Sequence, residues 1–170
     1  DYVKAIKKVS FNLKIGESIG IVGESGSGKT SLILAILNLI ESKGKIKINK
    51  KDLNQLNKKE MLNLRKEIQI VFQDPFSSLS PRMNIEDIIS EGLLIHYPSI
   101  SKKEKEEKIK NILDKVGLEY KNTIEKYPHE FSGGQRQRIA IARALILEPK
   151  ILILDDCLLY TSPSPRDFTE

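Results

Sequence analysis

A stretch near the N-terminus has the residue types and the spacing needed to hold a phosphate group. Gly23, Gly28, Lys29 and Thr30 match the pattern G-x-x-x-x-G-K-[ST]. Glycines let backbone N–H groups point at an anion without side chains in the way, and a helix N-terminus adds a favourable dipole. Lys29 adds a positive charge, and the Thr30 hydroxyl is an oxygen ligand that suits Mg²⁺. We therefore predict a nucleotide phosphate site formed by Gly23, Glu24, Ser25, Gly26, Ser27, Gly28, Lys29, Thr30 and Ser31.

Two alternatives to a phosphate site exist for this glycine loop. It could be a plain turn between a strand and a helix that binds nothing. It could instead begin a dinucleotide-binding unit, but its glycines are spaced G-x-x-G-x-G, and no strand followed by an acidic residue comes at the right interval. The predicted strand before the loop and helix after it favour the phosphate site.

Two further stretches carry residues suited to a nucleotide site. Asp155 follows the apolar run Ile151–Leu154, as a metal-side acid does, although many buried strands also end in Asp as a cap or turn residue. Ser132, Gly133, Gly134 and Gln135 come directly before an arginine-rich helix. Two glycines at a helix start form a backbone nest that can receive an anion, and the alternative is an ordinary helix N-cap.

The elements that position these residues alternate between strands and helices. Strands are predicted at 9–13, 18–22, 45–48, 68–72 and 151–154. Helices are predicted at 29–40, 58–66, 85–95, 102–116 and 134–147, and the Ser/Pro-rich stretch 75–81 is predicted to be a loop. Strands and helices that alternate around a helical insert indicate an α/β fold.

Composition limits the classes of protein to consider. The chain has 170 residues, of which 39% are hydrophobic and 30% charged, as in one globular domain. Its longest apolar run, 31–40, is shorter than the ~20 residues of a membrane span. With no signal pattern at the N-terminus and the single Cys157, a reducing, cytosolic location is expected.

The net charge of +5 raises the question of nucleic-acid binding. The lysines are interleaved with glutamates, as in KKEKEEKIK at 102–110, which is typical of a solvated helix face. No aromatic residues alternate with these charges to stack on bases. We therefore expect no nucleic-acid partner.

The segment FSGGQ at 131–135 resembles the LSGGQ signature of ABC ATPases, with Phe131 where leucine is commoner. The resemblance implies a P-loop NTPase core with a helical subdomain at about 75–147. It implies that Ser132 to Gln135 close on the γ-phosphate of ATP held by a second ABC ATPase domain. Gln73 matches the family's Q-loop glutamine, so the resemblance assigns it to catalysis and, with Thr30 and Asp155, to Mg²⁺.

Longer stretches are similar to the oligopeptide, dipeptide and nickel importers of that family, especially to the C-terminal half of the fused ATPase of microcin C-type peptide importers. They are QDPFSSLSPRM at 73–83, EGLLIHYP at 91–98 and the segment 127–149. The resemblance implies an ATPase on the inner face of the cell membrane that powers peptide import. Its implied partners are permease subunits and, indirectly, a periplasmic solute-binding protein. The alternatives are a soluble ABC ATPase acting on DNA or ribosomes, and a nucleotide-binding module without turnover.

The last residues depart from the family pattern. The family places a catalytic glutamate after the strand acid, and Asp156 stands there, followed by CLLYTSPSPRD. That string resembles the in-frame translation of a transposase-derived sequencing adapter. We therefore predict a partial nucleotide-binding domain at 1–156, incomplete at its C-terminus, and a non-native tail at 157–170. Asp156 then takes the place of the catalytic glutamate, and the chain itself is expected to hydrolyse little or no ATP. A natural Ser/Pro-rich linker after a degenerate ATPase is the alternative.

Overall fold

The computed structural model describes residues 6–155, apart from the side chains of Pro75 and Phe76. The chain divides between Lys58 and Lys59 into two compact units. Each unit is described by itself.

The first unit contains the glycine loop and one helix. Helix α1 spans Lys29–Ile36, and the two-residue strands β1 (Lys47–Ile48) and β2 (Lys51–Asp52) pair antiparallel before a 3₁₀ turn at Leu53–Gln55. The predicted helix at 29–40 is too long at its C-terminal end. The backbone of Asn38 is left-handed (φ 53°), and its N–H donates to Ala35 at 3.0 Å while that of Leu39 donates to Leu34 at 2.8 Å. This is the Schellman arrangement that ends helices.

The predicted strands at 9–13 and 18–22 are wrong in this structure. The turn between them is present, since Glu17 N–H donates to the Lys14 carbonyl (3.1 Å) and Gly16 has φ 81°. A strand also needs a neighbouring strand for its backbone groups. Within residues 6–155 neither segment is paired in a ladder, and apolar side chains such as Val22 are exposed (96%). β-Branched and apolar residues on either side of a turn indicated strands, but they do not supply a partner strand.

The second unit combines a parallel strand pair with a group of helices. Its elements are α2 (Lys58–Glu67), β3 (Ile68–Val71), α3 (Pro75–Ser78), α4 (Ile85–His96), α5 (Lys102–Lys115), a 3₁₀ turn at Pro128–Glu130, α6 (Gly133–Leu145) and β4 (Ile151–Leu154). Strands β3 and β4 pair in parallel, from Ile68 opposite Ile151 to Val71 opposite Leu154. The long helices lie within two residues of their predicted bounds, whereas the prediction of a loop over 75–78 missed α3.

The core of the second unit lies between α4, α5 and α6. Each helix turns apolar residues at helical spacing toward the others, which gives it one apolar face. Residues with 0% exposure include Ile85, Ile89, Leu93, Ile109, Leu113 and Ile139. Because α6 contributes to this core, the stretch Ser132–Gln135 at its N-terminus is held by a firmly packed helix.

Within residues 6–155, no helix is long and apolar enough to cross a bilayer.

Candidate functional site

The glycine loop adopts a backbone that side chains would disturb. Gly26 and Gly28 have φ 79° and 95°, values that favour glycine. A Cβ at Gly23 would lie 2.7 Å from the Ser27 Oγ, too close for an ordinary contact. Alanine at Gly26 or Gly28 is therefore strained by the backbone, and alanine at Gly23 would require the Ser27 side chain to move.

Helix α1 begins directly at this loop. Gly28 is its N-cap and provides no side-chain hydrogen bond, and the Leu32 N–H makes a helical bond to the Gly28 carbonyl at 2.9 Å. The first turn of a helix presents backbone N–H groups and the positive end of the helix dipole. A glycine-rich loop at the start of a helix suits a phosphate group, because the N–H groups of the first turn can donate to it.

Lys29 lies over the beginning of the same loop. Its Nζ donates to the carbonyl oxygens of Gly23 (2.7 Å) and Glu24 (2.9 Å). The ammonium group is thus held at the loop by two backbone acceptors rather than by a carboxylate. A cation held in this way can turn to a phosphate oxygen without breaking an ion pair.

Gln73 and Asp155 follow the two paired strands of the second unit. Val71 and Leu154 are opposite each other in the parallel register, so both residues lie at the carboxyl end of the pair. Asp155 is buried (6% exposed), and its N–H donates to the Val71 carbonyl at 3.0 Å, whereas Gln73 is exposed. The structure thus brings these two predicted metal ligands to one sheet edge.

The donors at this edge suit a hard cation but provide few charges. Amide and carboxylate oxygens are the ligands that Mg²⁺ accepts, usually together with waters and phosphate oxygens. Within the described part of the chain, no group of three or more His, Cys, Asp or Glu side chains could hold a metal ion. The edge therefore fits a magnesium ion that a phosphate also ligates rather than an all-protein metal site.

Ser132 and Gln135 form a reciprocal cap at the start of α6. The Ser132 Oγ accepts from the Gln135 N–H at 3.4 Å, and the Gln135 Oε1 accepts from the Ser132 N–H at 2.9 Å. The ordinary capping interpretation thus has a direct basis in this structure. Ser132 to Gln135 are nonetheless exposed.

Gly134 has no steric role in the described chain. A Cβ there would meet nothing within 4 Å, and its φ is not in the left-handed range. Alanine would also be the better helix former at this position by about 1 kcal/mol. The glycine leaves open the N-terminus of a rigid helix, which is what the close approach of an external group requires.

Three arginines follow the N-terminus of α6, and their residue types and spacing indicated no individual role for any of them. Each donates to a main-chain carbonyl: Arg136 to Phe131 (2.9 Å), Arg138 to Gly117 (3.5 Å) and Arg143 to Ser78 (2.6 Å). The acceptors of Arg138 and Arg143 lie 21 and 65 residues away along the chain, so spacing along the sequence held no signal for those two contacts. One predicted site residue, Asp156, lies outside the described residues.

Comparison with known proteins adds an independent line of information. The family model described as ABC transporter matches residues 6–159. The oligopeptide transport ATP-binding protein OppF of Haemophilus influenzae is 53% identical over 155 residues, which are 91% of this chain and 46% of that protein. The uncharacterized ABC transporter ATP-binding protein YejF of Escherichia coli is 51% identical over 156 residues, 92% of this chain and 29% of that protein. The chain thus spans less than half the length of these relatives.

Solved structures share the fold. The dimeric structure of MJ0796, a bacterial ABC transporter cassette, has a TM-score of 0.80 at 32% identity and covers 91% of this chain and 66% of that one. A dimeric post-hydrolysis state of the same cassette, bound to ADP and Pi, has a TM-score of 0.78 at 33% identity and covers 88% and 65%.

Proposed function

Because this chain belongs to the ABC transporter family, we propose that it is part of an ATP-binding and ATP-hydrolysing subunit that powers peptide import through a membrane transporter. The predicted α/β fold, a P-loop NTPase core of the ABC type, is confirmed by the likeness to solved cassettes. Activity, solute and partners belong to the longer protein and are proposals.

The observation that carries the proposal is the glycine loop. Gly26 and Gly28 have left-handed backbone just before α1, a Cβ at Gly23 would approach Ser27, and Lys29 supplies a cation held by carbonyl oxygens. ATP is the ligand that we assign to it, with its phosphates on the loop amides of residues 23–31. A relative of this fold is described as bound to ADP and Pi, which supports that choice.

The residues proposed for Mg²⁺ are Thr30, Gln73 and Asp155. All three offer oxygen atoms, in keeping with a hard cation. When bound, the ion would neutralise charge that develops on the transferred phosphate. Gln73, exposed at the same end of the strand pair as the buried Asp155, is the residue we propose to orient the attacking water.

The open N-terminus of α6 is proposed to receive the γ-phosphate of ATP bound to a second ABC ATPase domain. Exposure of Ser132 to Gln135 and the empty space at Gly134 support this role. A helix N-terminus favours negative charge through its N–H groups and dipole. Two domains would then enclose two nucleotides, as expected from the dimeric relatives.

The proposed setting is the cytoplasmic face of the membrane, with permease subunits as partners and a periplasmic solute-binding protein as an indirect one. This setting is supported by the 53% identity to the oligopeptide transport ATP-binding protein of Haemophilus influenzae. Loss of labelled oligopeptide uptake in cells whose longer protein carries Lys29→Met would agree with this setting. Unchanged peptide uptake would contradict it.

Asp156 is proposed to occupy the position of a catalytic glutamate, and 157–170 to be a non-native tail. The family match reaches residue 159 and leaves 160–170 outside. The nucleotide sequence tests this proposal. An adapter match from codon 157 onward, with GAC at codon 156, is expected, and any other codon 156 or the lack of an adapter match would overturn it.

Dimerisation that depends on MgATP is the most direct experiment on the proposed function. Sedimentation velocity of the chain should show a dimer with MgATP and a monomer without it. Lys29→Met should weaken both nucleotide binding and the dimer. Gly134→Asp places a carboxylate where a phosphate would arrive, so it should bind MgATP normally and stay monomeric. Binding without a dimer in the unmodified chain would favour a nucleotide-binding module.

A further inference from the structure

Arg143 makes a contact that links two parts of the candidate site. Its Nη1 donates to the Ser78 carbonyl at 2.6 Å, across 65 residues of sequence, in a partly buried setting. Burial lowers the pKa of the guanidinium, while the charge of Glu91 acts in the opposite direction. An arginine keeps its charge in proteins, so removing it from water is unfavourable unless a strong acceptor compensates. The Ser78 carbonyl is such an acceptor.

Ser78 ends a short segment that begins at Gln73. Strand β3 holds the segment on one side, and Leu79, 2% exposed, is fixed in the core on the other. Between these two anchors Gln73 and Asp74 are exposed. The Ser78 N–H donates to the Asp74 carbonyl (3.2 Å), so this turn holds the amide of Ser78 while Arg143 holds its carbonyl.

The same helix that carries Arg143 begins at the proposed phosphate-receiving end. From Gly133 to Arg143 the helix rises about 15 Å at 1.5 Å per residue. Ile139, between these two points, is completely buried, so α6 is anchored along its length. One rigid element therefore connects the SGGQ stretch to the Gln73 segment.

We propose that Arg143 is a positioning residue, which fixes the Gln73–Ser78 segment to α6 through the Ser78 carbonyl and so sets Gln73 relative to the SGGQ end of that helix. The role of Gln73 rests on the proposed function, whereas the contact between Arg143 and the Ser78 carbonyl does not depend on it.

The first test needs no nucleotide. Hydrogen–deuterium exchange of the unmodified chain is compared with Arg143→Met, Arg143→Lys and the matched control Arg138→Met, whose guanidinium makes a longer, exposed bond of 3.5 Å to Gly117. In Arg143→Met the amides of 74–80 should exchange about tenfold faster or more, as expected when a hydrogen bond to a charged group is lost. Arg143→Lys keeps a charged donor and should restore part of the protection. Arg138→Met should leave 74–80 unchanged.

The second test separates positioning from general destabilisation. The chain has no tryptophan, so Phe72→Trp gives a single tryptophan next to Gln73, which can be excited selectively. MgATP should change its emission, and this response should be lost in Arg143→Met, although the MgATP dissociation constant stays within about threefold, because the glycine loop is untouched. Arg143→Lys should recover the response.

Three outcomes overturn the proposal. One is exchange of 74–80 in Arg143→Met that matches the unmodified chain. Another is equal acceleration in Arg138→Met, and the third is a normal fluorescence response in Arg143→Met. If the unmodified chain binds no MgATP, the proposed function fails, and the exchange comparison alone still decides the role of Arg143.

Discussion

Replacing Gly28 by alanine should damage the phosphate loop without touching any charged group. Gly28 has φ 95° and ψ 11° at the N-cap of α1. Alanine in the left-handed region costs about 1–2 kcal/mol, and φ 95° lies beyond the centre of that region, so about 2 kcal/mol is expected. The native loop conformation should then be about 30-fold less populated relative to its alternatives. Because only that conformation binds phosphate, the apparent dissociation constant for MgATP should rise by up to about the same factor.

Two measurements on Gly28→Ala check this reasoning, with Gly20→Ala as the matched control. Gly20 has no left-handed φ, and a Cβ there would meet nothing within 4 Å, so its effect should stay within about 0.5 kcal/mol. Calorimetry gives the MgATP affinity, and amide exchange of 29–36 gives the local stability of α1. If Gly28→Ala binds MgATP within about threefold of the unmodified chain, the loop conformation described above is not the binding conformation.

Three further predictions concern the second unit. Ser132→Ala removes the longer of the two capping bonds (3.4 Å) and should destabilise the start of α6 by about 0.5–1 kcal/mol, seen as faster amide exchange there and refuted by unchanged exchange. Ile139→Ala, at a site with 0% exposure, should lower the free energy of unfolding by about 2–5 kcal/mol in urea, whereas Leu94→Ala, at 49% exposure, should change it little; equal effects would contradict the described core. Burial and then the charge of Lys66 lower the pKa of His96 below 6.5, so protonation favours the unfolded state. Stability should therefore fall as pH drops from about 6.5 through the lower folded pKa, a fall that His96→Gln should reduce; an NMR titration that places the His96 pKa above 6.5 would refute it.

Local signals predicted the helical part of the fold well. Helix α6 and its N-cap depend on Ser132, the residues that follow it and apolar residues at helical spacing, all within one short stretch of chain. The same holds for the glycine loop, because left-handed backbone at Gly26 and Gly28 is a property that a glycine in the sequence already permits.

The features that the sequence did not predict depend mostly on contacts between distant parts of the chain. The segments at 9–13 and 18–22 have β-branched and apolar residues typical of strands, but strand formation depends on a distant partner that local pattern cannot identify. In 75–81, Ser and Pro suggested a loop, yet Pro75 begins α3, a position at which proline is well tolerated. The bond from Arg143 to Ser78 joins residues 65 apart, and no spacing rule along the chain indicates it.

Binding of MgATP through Lys29 is the measurement that tests the central claim most directly. Calorimetric titration should give saturable binding to the chain and an affinity about 10- to 150-fold lower for Lys29→Met, since a charged hydrogen bond contributes about 1.5–3 kcal/mol. The exposed Lys45 lies in the same unit, and Lys45→Met should bind as the unmodified chain does. Absence of MgATP binding, or equal affinity in Lys29→Met, would contradict the assignment of the glycine loop as a nucleotide phosphate site.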